Sequence, residues 1–498
     1  MDCGTTSSKL VLVSITGQIL GSVSTRRRTY FPQPGYAEQN LDELWQSVCE
    51  TSTTLASRFK QLDILGLSFA GTIGDAISID KKLRPVSKRF MLYSDVRSIS
   101  QSRKIAERIG SQRIYEVSGN PPSPASCVPK WLWLKDNRNR AFRSTWKFIQ
   151  PNDFLVLKST GRVCTDYVSA SATMAFDIRK REWSEEILSA AGIDVERMPK
   201  PVESTALVGE LTRSAARQMG LRSGLPVFTG AGDTGAMLLG AGAVEDGDAV
   251  LYLGGGAEVD LVTDKRLLDP EMRVPLRSHI VPGKYFTSVT ALASGLARNW
   301  LAGLFGRTGK SATDSFTNVA RNSGIGANGL LFLPYLLGEQ AAIWDSEAKG
   351  VFVGLKASST YRDLSRAVLE STAYSLSQIL SVYKEVGFKP ENFVVCGGGG
   401  RNSLLRQIVT DTLGVPTRLH GSPSEVAAIG AAICVAVGLH HYRSLHDASK
   451  AMVRYSERLL PNFDNHVKYI KMLRLSEATY SALIDIMHAL SEFEQNSS

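Results

Sequence analysis

Residues 249–262 run Ala249-Val250-Leu251-Tyr252-Leu253-Gly254-Gly255-Gly256-Ala257-Glu258-Val259-Asp260-Leu261-Val262. An apolar run bounded by glycines and followed by an alternating apolar segment reads as strand, glycine turn, strand. The start of the chain carries the same plan. Asp2-Cys3-Gly4-Thr5-Thr6-Ser7 is a turn, and 9–15 (KLVLVSI) is a strand that Gly17-Gln18 turns into 19–24. A strand of about 5–6 residues does not fit ahead of the first turn, so the numbered start is expected to lie inside the first strand. One glycine bend beside β-strands in each half predicts two related α/β domains facing each other across a cleft. The 498 residues are more than one ordinary core accommodates. The polar turn Glu245-Asp246-Gly247-Asp248 sets the boundary, giving 1–243 and 244–498.

Outward from these bends, 39–60 reads as a helix and 62–69 as a short apolar strand ending at Ala70-Gly71-Thr72. Segments 75–80 and 89–93 read as strands, and 128–136 and 152–158 as helices. Strand 225–229 runs into Thr229-Gly230-Ala231-Gly232-Asp233-Thr234-Gly235 and a helix over 234–242. Helices are also predicted at 288–304, 360–384, 402–413 and 424–438, and a strand at 392–396.

Three of these stretches can carry chemistry. In the opening turn, Gly4 allows close backbone approach, and Thr5, Thr6, Ser7 and Lys9 offer hydroxyls, N–H groups and a cation. Such a turn cradles polyphosphate, and Asp2 can hold a magnesium-bound water; an ordinary hairpin turn is the alternative. Asp233 ends an apolar strand among glycines, where α/β sheets gather ligands. It can accept a hydroxyl proton during phosphoryl transfer or cap the following helix. Cys396-Gly397-Gly398-Gly399-Gly400-Arg401-Asn402-Ser403 is a strand, a glycine run and a helix start. It suits a nucleotide or a plain tight connection.

Other chemistries lack their residues. All seven histidines lie from His279 onward, so the N-terminal half has no His base and no metal-binding His pair. There is no GxSxG nucleophile elbow and no Walker A motif. Gly306-Arg307-Thr308-Gly309-Lys310-Ser311 has the wrong spacing for the latter and reads as a loop. The net charge of +9 is spread without a basic run, which reads as a mildly cationic surface rather than a nucleic-acid-binding one. The six cysteines form no CxxC pair, pointing to a reducing compartment rather than a zinc or disulfide scaffold. No signal peptide or membrane-spanning run is expected from this sequence, and a cytoplasmic protein is expected.

Together these stretches resemble the FGGY carbohydrate kinases, the family of xylulokinase, glycerol kinase, gluconate kinase and ribulokinase. The phosphate motif is Asp2–Lys9. Pro34-Gly35-Tyr36-Ala37-Glu38-Gln39, Asp95-Val96-Arg97, Gly119-Asn120-Pro121, Asn152-Asp153-Phe154-Leu155 and Thr165-Asp166 follow in order. So do Gly329–Leu336 with Gly338-Glu339, Lys349–Leu355, Arg366–Glu370, Gly397–Asn402 and Glu425–Ala432. Order and spacing from Asp2 to Ala432 make the resemblance specific.

The resemblance implies an actin-like duplication of two RNase H-like domains with ATP in the cleft. It also implies phosphorylation of a small sugar, a ketopentose such as xylulose or ribulose, by ATP and Mg²⁺. Asp233 would be the general base. Thr5, Thr6, Ser7 and Lys9 would lie along the phosphates, Gly255 at a second phosphate bend, and Gly398, Gly399 and Asn402 near adenosine. Thr72, Asp75, Asp95 and Arg97 would surround the sugar with Asp233, and Asp2 and Asp233 would serve magnesium. The partners implied are sugar and ATP, with no nucleic acid or membrane and a homodimer as the assembly to test for.

Three departures stand out: Gly254-Gly255-Gly256 replaces the family's Gly-Thr-Ser, Gln340 follows Gly338-Glu339 where Arg is usual, and Gly71-Thr72-Ile73-Gly74-Asp75 replaces the xylulokinases' Gln-Met-His. They keep open a kinase of another polyol or sugar acid (glycerol, erythritol, gluconate), a catalytically weakened sugar- and ATP-binding regulator, and an actin-like ATPase acting on proteins.

Overall fold

The computed structural model describes residues 1–307, 310–340 and 342–496. The chain forms two compact units. The first comprises Met1–Glu245, Val262–Phe286 and Glu425–Val453; the second comprises Asp246–Leu261, Thr287–Ser424 and Arg454–Ser498. The turn at Glu245-Asp246 is thus where the chain first crosses. A linear division at 243/244 leaves out two returning segments, which join the first unit through contacts distant in sequence.

The first unit is built on a five-stranded sheet ordered Ile19–Arg26, Ser7–Val13, Asp2–Cys3, Ala70–Gly71, Ala231–Gly232. The first three are antiparallel neighbours, and the last two run parallel to Asp2–Cys3. The predicted strand over 62–69 forms its ladder only at Ala70–Gly71, with Leu67 bridging Val227. Its neighbour Asp2–Cys3 is two residues long, so there is little for 62–69 to pair with. Helix Leu41–Arg58 covers one face, burying Leu44, Trp45 and Val48 with Phe69, Leu155 and Val227. Asn40 caps it by accepting from the N–H groups of Asp42 and Glu43.

The small residues after Asp233 and after Glu425 have a shared purpose. Helices Asp233–Ala241 and Val426–Gly438 meet at backbone distance: a Cβ on Gly240 would collide with the Val426 carbonyl, and one on Gly430 with the Ala236 carbonyl. This contact brings 425–453 into the first unit. The segment 262–286 joins it by a Leu276 N–H bond to the Gly119 carbonyl, 2.7 Å, and the Tyr115 hydroxyl bond to the Val274 carbonyl.

The second unit repeats the strand order: Tyr285–Ala291, Ala257–Thr263, Asp248–Leu253, Asn392–Cys396, Thr417–His420, with Tyr455–Leu459 at the far edge. The central strand is antiparallel to Ala257–Thr263 and parallel to Asn392–Cys396. The helix predicted over 288–304 is instead a strand, Tyr285–Ala291, then helix Gly295–Leu304; Thr287, Val289 and Thr290 are β-branched and fit a pleated surface. Helix Tyr361–Val386 starts in a capping box made by Thr360 and Asp363. Buried Arg366 pairs with Glu370 and donates to Tyr469 on the long C-terminal helix Phe463–Asn496.

Of the loop predicted at 306–311, Thr308 and Gly309 lie outside the described residues, and Lys310 and Ser311 open helix Lys310–Arg321. All six cysteines are free. Among the described residues no helix is long and apolar enough to cross a membrane.

Candidate active site

The site of the first unit follows from strand register. Cys3 pairs with Gly71, and Gly71 with Gly232. Three parallel strands therefore end at one level, spaced about 4.8 Å apart. The residues that leave those ends are Gly4, Thr72 and Asp233, side by side at the carboxyl edge where α/β sheets take ligands. Small residues are required there: a Cβ on Gly71 would stand 2.7 Å from the Asn152 nitrogen, and one on Gly232 would collide with Ile73.

Asp233 is the first residue of its helix, with Gly232 as the cap residue; its Oδ1 accepts the Thr234 N–H at 2.8 Å. Its carboxylate is half-buried, and the helix N-terminus favours its negative charge. Asp166 holds the strand end in front of it. The buried Asp166 carboxylate accepts the Gly232 N–H at 3.3 Å, and both the N–H and the hydroxyl of Ser169.

Thr6 is exposed and Thr5 and Ser7 are partly so. The Arg27 N–H closes the turn on the Thr6 carbonyl, the Arg27 guanidinium donates to the Gly4 carbonyl, and Gln39 donates to the Thr5 carbonyl at 2.5 Å. Lys9 lies opposite Asp2 in the ladder and 3.9 Å from Glu425. Burial raises the Asp2 carboxyl above its ordinary range, against the pull of Lys9 and Arg27. Arg27, Gln39 and Glu425 were given no role from sequence. Gln39 and Glu425 lie within the family-like segments 34–39 and 425–432, whereas no local pattern marks Arg27.

In the loop that follows Gly71, Asp75 is wholly buried. It accepts from the Thr72 hydroxyl and the Tyr93 N–H, each at 2.5 Å, and burial raises it to about 6. It braces its own loop. Asp95 and Arg97 are joined to each other, 2.6 Å at the closest. Asp95 also accepts the Ala37 N–H, and Arg97 reaches Glu38 at 2.7 Å and stacks on Tyr36.

In the second unit the two glycine runs leave adjacent parallel strands, since Tyr252 pairs with Cys396. Within them the glycines differ. A Cβ on Gly255 or Gly398 would meet nothing within 4 Å, whereas one on Gly256 would lie 2.6 Å from the Ala291 carbonyl and one on Gly399 2.9 Å from Leu253. Gly255 and Gly398 are exposed, so only they offer bare backbone to a ligand. The Gly255 carbonyl accepts the N–H groups of Ser294 and Leu296. Asn402 is buried as the cap of helix Ser403–Leu413, accepting from Leu405 and donating to Thr317.

Residues 1–240 match the N-terminal domain of the FGGY family of carbohydrate kinases, and 260–439 match its C-terminal domain. The chain belongs to that family. It is 31% identical to the xylulose kinase of Lactococcus lactis over 99% of its own length and 98% of the relative's. It is 27% identical to the gluconokinase of Bacillus subtilis, with 98% of each chain covered. Among solved structures it resembles the xylulose kinase from Rhodospirillum rubrum, with a TM-score of 0.87, 27% identity, and 98% and 99% of the two chains covered. This carbohydrate kinase therefore has the two-domain actin-like α/β fold, and the repeated strand order is its duplication.

Proposed function

We propose that this kinase transfers the γ-phosphoryl group of ATP to a hydroxyl of a neutral ketopentose, xylulose before ribulose, with Asp233 as the general base. The observation that carries the reading is the shared register of Cys3, Gly71 and Gly232, which sets Asp233 beside Thr72 and the Gly4–Ser7 turn. Near full-length similarity to a xylulose kinase supports the sugar.

In the reaction, the sugar hydroxyl gives its proton to the Asp233 carboxylate as its oxygen bonds to the γ-phosphorus; the bond to the β-phosphate oxygen breaks and ADP leaves. Thr5, Thr6, Ser7 and Lys9 hold the phosphates; on the second unit Gly255 and Gly398 offer backbone to the nucleotide, while Gly399 and the buried cap Asn402 shape the turn beside it. Among the described residues no three His, Cys, Asp or Glu side chains group as a metal cage. Asp2 and Asp233 offer the one or two carboxylates that magnesium takes alongside substrate phosphates. The ion, when bound, supplies positive charge for the phosphate oxygens.

A sugar acid is the second reading, favoured by the similarity to a gluconokinase. It needs a cation for the acid group, yet Arg97 is engaged by Asp95 and Glu38. The test is magnesium-dependent ADP release over D-xylulose, D-ribulose, glycerol, erythritol and gluconate. Turnover on a ketopentose is expected; turnover on gluconate alone would establish the second reading, and none on any would remove both.

A further inference from the structure

Besides the Asp75 contacts, the loop Gly71–Asp75 is gripped at Gly74. Gly74 has φ +80°, a conformation that suits glycine. Its N–H donates to Gln150 Oε1 at 2.8 Å, and its carbonyl accepts from Lys130 Nζ at 2.7 Å. The same ammonium donates to the Ala125 carbonyl at 2.8 Å. A Cβ on Gly74 would stand 2.9 Å from that Ala125 oxygen. Two carbonyls from two different loops are thus pressed together with one cation satisfying both.

Lys130 is completely buried on helix Cys127–Asn137. A buried ammonium is costly unless it is hydrogen-bonded, so a lysine held here by two carbonyls has a local task; a buried apolar residue would fill the space at lower cost. The grip continues toward the general base. Gln150 Nε2 donates to the Ser169 carbonyl at 2.7 Å, and Ser169 is bonded to Asp166, which holds Gly232.

We propose that Lys130 is a positioning residue for sugar binding: with Gln150 it fixes Gly74, so that the Thr72–Ile73 surface of the loop is preformed when the sugar arrives. The inference rests on the sugar-kinase reading of the site. Lys130 touches neither nucleotide nor reacting atoms, so its effect falls on sugar affinity.

The test is Lys130→Met, read in two ways. Hydrogen exchange of residues 72–76 without ligand is expected to quicken about tenfold or more, while exchange in helix Leu41–Arg58 stays unchanged. The KM for the ketopentose is expected to rise about tenfold, with kcat at saturating sugar and the KM for ATP within about threefold of wild type. Unchanged exchange of the loop, or a parallel loss in kcat and both KM values in a folded variant, overturns the proposal. If Lys130→Met does not fold, Gln150→Met removes the partner of the Gly74 N–H and is read the same way. If wild-type protein phosphorylates no sugar, the kinase reading falls, while the exchange arm still decides the clamp.

Discussion

The two units present the same strand–turn–strand at the centre of the same sheet order, yet the turns are furnished differently. Gly4-Thr5-Thr6-Ser7 carries three hydroxyls, with Lys9 and Arg27 beside it. Gly254-Gly255-Gly256 carries no side chain, and only Gly255 has space for one. A duplicated fold thus supplies two corresponding bends but does not furnish them evenly. The side chains proposed to act on phosphate and sugar lie in the first unit. The second contributes exposed backbone, at Gly255 and Gly398.

That asymmetry makes predictions of graded size. The largest effect belongs to the first unit: Asp233→Asn removes the proton acceptor and is expected to lower turnover by about 10²–10⁴-fold, with nucleotide binding by calorimetry little changed. In the second unit, Gly398→Leu fills space open to a ligand. It is expected to raise the KM for ATP about tenfold and leave thermal unfolding and the sugar KM as they are; equal effects on both substrates would break the division of labour.

A glycine used for packing behaves otherwise. Gly430→Ala forces a methyl against the Ala236 carbonyl and is expected to cost about 1–3 kcal/mol of stability, seen as a lower denaturant midpoint.

The pH response follows from Asp75, whose carboxyl is raised by burial to about 6. Between the ordinary carboxylate value and about 6, the folded state binds the proton more tightly than the unfolded state does. Its contribution therefore makes stability fall as pH rises through this window. Activity should move the opposite way, with the sugar KM rising as pH falls below about 6 and Asp75 protonates; an Asp75→Asn variant should flatten both trends.

The smallest effect is expected of Gly255→Thr, which meets no atom within 4 Å. It should leave stability unchanged and improve the KM for ATP by about two- to threefold at most.

Much of this was legible in the sequence because it is written locally. The strand–turn–strand at 249–262, the glycines around Asp233 and the strand before Gly397 all declare themselves within a few residues. What was not legible depends on partners far along the chain. The small residues of 424–438 read as a helix, but their use, a backbone contact between Gly430 and Ala236, needs the fold. Asp75 looks like a free acid in sequence; only the Tyr93 N–H, 18 residues on, shows it bracing a loop. Lys130 and Arg27 bond to backbone carbonyls, which any sequence supplies, so no pattern announces them. Residues 288–291 read as helix although Thr287, Val289 and Thr290 suit a strand, because it is pairing with Ala257–Thr263 in the sheet that settles the choice.

The most direct test of the account is a paired measurement of ADP and sugar phosphate with D-xylulose, magnesium and ATP. ADP release that depends on the sugar is expected, with one phosphate ester formed per ADP. ADP released at the same rate without sugar, or no ester formed by folded protein that binds ATP, would contradict it.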